Sequence, residues 1–142
     1  MPNETTDSSQ SERGSDASRS RQFALQAARL MHTLHCTDVV ALDVRGLSQV
    51  TDMFVIGSGT SNRQMKSVAD DLDELAEDLG LEVFRRHTDA QVTWIVIDFV
   101  DVVVHLFEPT VRAYYDLEML WGDAERLAWR EEPQAEPSVS DD

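Results

Sequence analysis

Cationic side chains are scarce in this sequence. Twelve Lys and Arg stand against 27 Asp and Glu in 142 residues, a formal charge of −15. Such a surface repels phosphate backbones and anionic lipid, so neither direct sequence-specific nucleic-acid binding nor membrane binding is expected. A basic protein surface is the natural counterpart, with solubility alone as the plainer explanation. Cysteine is nearly absent: a lone Cys36 excludes an internal disulfide and is consistent with a reducing cytosol. No run nears the ~20 apolar residues of a membrane span. The N-terminus lacks the basic-then-apolar order of a signal peptide, so a cytoplasmic location is expected.

Residues 1–20 lack aromatic and β-branched aliphatic side chains and hold six Ser and two Thr. They cannot bury enough apolar surface to offset the entropy of ordering, and read as a disordered leader. Residues 131–142, with two prolines and five acids, read as a disordered acidic tail. One domain over residues 21–130 remains, itself at −8 from ten Lys/Arg and eighteen Asp/Glu.

Within that domain, Phe23, Ala27, Leu30, Met31 and Leu34 recur at helical spacing, with Ser20 as the expected N-cap. Residues 38–44 and 53–56 read as strands. The loop Gly57-Ser58-Gly59 and the pair Ser61/Gln64, an S-x-x-Q capping box, then open a helix over 62–79 that stops at Gly80. A short strand near 82–85 precedes the stretch around which the chain is organised. There Trp94–Ile97 and Val102–Phe107, separated by Asp98-Phe99-Val100-Asp101, form a hairpin feeding a helix that begins at Pro109. The order α-β-β-α-β-β-β-α predicts an α/β (α+β) fold with a mixed sheet of about five strands covered by helices.

Catalytic constellations are hard to assemble. His32, His35 and Cys36 at the end of one helix lack the fourth ligand of a closed zinc site, and histidines are favoured near a helix C-terminus in any case. The Gly-Ser loop has neither the Lys of a P-loop nor the spacing of a dinucleotide fingerprint. A nucleotidyltransferase would need two carboxylates at i and i+2 on one strand face; Asp70 and Asp71 adjoin in a helix, and Asp98 and Asp101 flank a turn. A nucleotide-binding or nucleotidyl-transferring enzyme using Gly57-Ser58-Gly59 stays as the alternative. No cofactor or metal is expected.

At TDMFVIGSGTSNRQMKSVADDL, W-I-V-I-D-x-x-D-V-V-V-H and R-A-Y-Y-D-L-E-M-L-W, the sequence resembles the ribosomal silencing factor family, also called Iojap-like or RsfS, over about residues 21–127. The resemblance implies a nucleotidyltransferase-like fold without the catalytic acids, and a binding protein that is not an enzyme. It implies docking on the large ribosomal subunit through its fourteenth protein, steric blocking of small-subunit joining, and repression of translation under nutrient limitation. Trp94, Asp98, Asp101, His105, Tyr114, Tyr115 and Glu118 match the partner-facing positions, and homodimerisation away from the ribosome is open. Two departures stand out: Val100 where the family usually has Gly in the Asp-x-x-Asp turn, with a steric cost if φ is positive there, and Arg85-Arg86-His87-Thr88 in place of the family's Glu-Gly segment, which introduces positive charge beside the acidic residues. On strand alternation Trp94 shares a face with Val96 and Asp98 and opens to solvent. Its removal is then expected to weaken docking with little change in stability, whereas a core position would reverse those effects.

Overall fold

A computed structural model describes residues 2–111 and 122–130, with side chains from residue 18 onward. Helix α1 (Pro2–Thr33) packs through Phe23, Ala24, Ala27, Ala28 and Met31, whose three- and four-residue spacings form one apolar stripe. It begins earlier than the periodicity predicts. The helix runs from Pro2, so Ser20 lies inside it, buried, and does not cap it. Cooperativity is the physical reason, because residues added upstream of a packed helical segment require no new nucleus.

Strand β1 (Thr37–Asp43) pairs antiparallel with β2 (Met53–Ser58). Helix α2 (Asn62–Asp78) follows as predicted: the Ser61 hydroxyl accepts from the Gln64 N–H at 3.0 Å, and Gly80 at φ 83° ends the helix. The Gln64 side-chain oxygen closes the cap one residue early, accepting from the Thr60 N–H. Met65, Val68, Ala69, Leu72 and Ala76 are buried, with Leu75 and Leu79 half-buried beside them.

Strands β3 (Arg85–Thr88), β4 (Trp94–Asp98) and β5 (Val102–Phe107) and a two-residue β6 (Glu125–Arg126) complete a sheet ordered β3-β4-β5-β2-β1-β6. It is mixed: β2 and β5 run parallel and the other neighbours antiparallel. The expected α/β (α+β) class holds, with six strands in place of about five. Strand β3 starts three residues later than predicted, because pairing of Arg85–Thr88 with β4 sets its register and local propensity does not. Helices α1 and α2 cover one face of the sheet over Met53, Val55, Ile95, Ile97, Val102, Val104 and Leu106. The opposite face carries a second, smaller apolar cluster of Val40, Leu42, Val44, Ile56 and Phe107.

The β4–β5 turn contains a strained residue. Val100 has φ 77°, and the Asp101 N–H bonds to the Phe99 carbonyl at 3.0 Å across it, which makes a γ-turn. A β-branched side chain is costly in this region and glycine is not. Because Val100 is 51% exposed, little packing is lost on its removal. Val100→Gly is therefore expected to raise stability by about 1 kcal/mol, read as a higher urea midpoint; a lower midpoint would show that the turn carries no such strain.

Candidate protein-docking face

Strand β4 alternates as its sequence predicts. Ile95 and Ile97 are buried against the helices, while Trp94, Val96 and Asp98 are half-buried on the other face. Cross-strand register places Phe107 opposite Trp94, His105 opposite Val96 and Val103 opposite Asp98. An aromatic floor results: Trp94 stacks on Phe107 at 5.0 Å and 25°, His105 lies parallel to Phe107 at 7°, and Phe54 meets the His105 edge at 5.4 Å. The Trp94 indole N–H donates to His105 Nδ1 at 3.1 Å. His105 is 9% exposed, and burial pushes its pKa down to about 4, so the imidazole is neutral near pH 7.

The loop before β4 holds Trp94 from behind. The Asp89 carboxylate accepts from the Thr93 hydroxyl and from the N–H groups of Thr93 and Trp94 at 2.5, 2.7 and 3.0 Å. These bonds, the Thr93 hydroxyl first, keep Asp89 below the usual carboxylate range. Asp98 sits at the other end of β4, about 13 Å from Trp94 at the rise of an extended strand, with Asp101 across the turn from it. Asp98 is tied into the turn through the Val100 N–H at 2.7 Å, and the Asp101 carbonyl accepts from Asp52 and Met53 at 3.1 Å. One side of the sheet thus brings Trp94, His105 and Asp98 together as a row. Beyond Phe107, Glu108 accepts from the N–H groups of Thr110 and Val111, and Pro109 occupies the first turn of the predicted helix. Tyr114, Tyr115 and Glu118 lie outside the described residues.

The two arginines before β4 divide between faces. Arg86 turns toward α2 and pairs with Asp70 at 3.0 Å and Asp73 at 2.9 Å, while Arg85 lines a shallow groove with His87, Val96, Asp98 and Val103. The charge expected beside the acidic residues is therefore Arg85 alone. Phe107 beneath Trp94 and Phe54 at the edge of His105 carry no motif in the sequence, although alternation from Val103 puts Phe107 on this face.

A family model described as "Ribosomal silencing factor during starvation" matches residues 17–142. The chain belongs to the ribosomal silencing factor family. A relative named ribosomal silencing factor RsfS from Halalkalibacterium halodurans is 45% identical over 86 residues, spanning 61% of this chain and 74% of its own length. Its namesake from Bacillus subtilis is 40% identical over 87 residues, with the same coverage of 61% and 74%. The crystal structure of a Chromobacterium violaceum protein superposes with a TM-score of 0.67 at 27% identity, covering 79% of this chain and 92% of that one.

For this silencing-factor chain the Gly-Ser loop has a packing role. A Cβ on Gly59 would lie 2.2 Å from Met65 Cγ, and one on Gly57 2.5 Å from Met31 Cε, so the glycines let the loop touch both helices. Two of the loop's donors are engaged within the protein: Gly59 N–H with the Phe107 carbonyl at 2.7 Å, and Thr60 N–H with the Gln64 side chain at 3.0 Å. Gly59→Ala is expected to destabilise by about 1–3 kcal/mol through overpacking against α2. Chemical denaturation measures this, and an unchanged midpoint would refute the packing role. Nor do the histidines and Cys36 converge. His32 lies 5.5 Å from the Trp129 ring, and the buried Cys36 thiol, its pKa raised by desolvation, faces Gln64.

Proposed function

We propose that the domain over residues 21–130 acts in the cytoplasm as a ribosomal silencing factor. It docks on the large ribosomal subunit through the basic surface of its fourteenth protein, sterically blocks joining of the small subunit, and so represses translation when nutrients are short, with no catalytic step. Trp94, Asp98, Asp101, His105, Tyr114, Tyr115 and Glu118 form or support the contact, and the free protein self-associates as a homodimer. The observation that carries this reading is the row on the sheet face opposite the helices: a half-buried indole on an aromatic floor, with Asp98 on the same strand. Trp and Tyr dominate interface hot spots, and an acidic domain is complementary to a basic partner.

Co-sedimentation of the full chain with purified large subunits tests the proposal, and absence of co-migration at low salt would refute it. Association is expected to slow as ionic strength rises, because the Debye length falls from ~10 Å at 0.1 M to ~3 Å at 1 M. Trp94→Ala should weaken docking by about 2 kcal/mol. The ring's stacking and hydrogen bond add an expected stability loss of about 1–2 kcal/mol, in place of the unchanged stability that an exposed ring implies. Equal docking by the folded variant would take Trp94 out of the contact.

A further inference from the structure

An indole has one polar atom, its N–H, and that N–H donates a single hydrogen bond. In this protein the Trp94 N–H is directed along the sheet into His105 Nδ1 at 3.1 Å. The acceptor is itself constrained: His105 is 9% exposed, parallel to Phe107 at 7°, edged by Phe54 and flanked in register by Val96 and Ile56. With Nδ1 accepting, the neutral imidazole carries its proton on Nε2. The indole is held on two sides, by stacking on Phe107 and by the bond to His105, while Asp89 fixes the backbone N–H of the same residue.

We infer that His105 is a positioning residue, holding the Trp94 ring on the aromatic floor with its one polar atom turned inward, so that Trp94 offers a partner hydrocarbon and π-surface. Such a surface fits the stem and cation of a lysine or arginine, attracted by the ring within an acidic domain, and gives nothing to a carbonyl, carboxylate or phosphate acceptor. The inference rests on the docking role proposed above, and two separate measurements keep the two ideas apart.

The first measurement needs no ribosome. In the full chain labelled with nitrogen-15, the Trp94 indole proton, assigned by its disappearance in Trp94→Phe, is expected to exchange slowly with water. His105→Asn presents an oxygen near the position of Nδ1 and should retain that protection; His105→Phe keeps the bulk, removes the acceptor and should lose it. Fast exchange in the wild-type protein, or equal protection in the Asn and Phe variants, overturns the positioning role. If His105→Phe does not fold, wild type against His105→Asn still decides, with unprotected signals in both overturning it. The second measurement is large-subunit co-sedimentation. Trp94→Phe, lacking the N–H but keeping a π-face, should bind within about fivefold of wild type, the range of a weakened cation–π contact. Trp94→Ala should lose about 30-fold. Losses as large in Trp94→Phe as in Trp94→Ala would mean that the N–H serves the partner, overturning the inference. A wild-type protein that binds no subunit refutes the docking role, while the exchange pattern still decides what His105 does.

Discussion

Trp129→Ala is expected to lower the unfolding free energy by about 3–5 kcal/mol, the range for emptying a large aromatic site. The ring is 6% exposed beside α1, and its N–H donates to the Val39 carbonyl at 3.2 Å. The Arg29 guanidinium binds the Trp129 carbonyl at 2.7 Å, and that of Arg130 lies 4.7 Å over the ring. Residues 125–130 thus strap the outer edge of β1: two ladder residues, the Leu127 N–H on the Ala41 carbonyl at 2.8 Å, and then the buried indole. Truncation removes buried apolar area and leaves the Val39 carbonyl short of a donor. Urea unfolding measures the effect, and a loss below about 1 kcal/mol, typical of surface substitutions, would show that the strap does not hold the edge.

Stability should also fall on acidification because of His105. Its folded pKa is about 4 against 6.5 for a free imidazole, with burial as the cause. The unfolded chain therefore takes up a proton near pH 6.5 that the folded chain refuses until about pH 4. The stabilisation is fully present above pH 6.5, declines between the two values, and levels off once both states are protonated. The difference corresponds to about 3 kcal/mol. Carboxylates titrate in the same window, so the comparison is with His105→Asn, which shares them and lacks the imidazole. Between pH 7 and pH 4 wild type should lose about 3 kcal/mol more than this variant. A gap independent of pH would show that His105 titrates as an exposed residue.

Much of the fold is legible along the chain because its signals are local. The capping pair Ser61/Gln64, the terminating Gly80, the apolar stripes of α1 and α2 and the alternation of Trp94–Asp98 are each set within a few residues, where backbone geometry and side-chain spacing decide. The side of β4 on which Trp94, Val96 and Asp98 lie follows from strand alternation alone. Long-range pairing settled the rest. Two residues at 125–126 have no periodicity to read, and they become a strand because β1 offers an unpaired edge and Trp129 finds a site against α1. Arg85 and Arg86 are adjacent and equally charged, yet the register of β3 sends one to the face of Val96 and Asp98 and the other to Asp70 and Asp73. The resemblance marks His105 only as a partner-facing strand residue; the sheet places it beside Trp94 among aromatic rings, where desolvation decides its charge. Sequence by itself determined the family, the helices and the face of the hairpin, through patterns contained in short segments. Which side chains meet across that face, and which of them stay charged, was decided by tertiary structure, because both depend on strand register and burial supplied by residues distant in the chain.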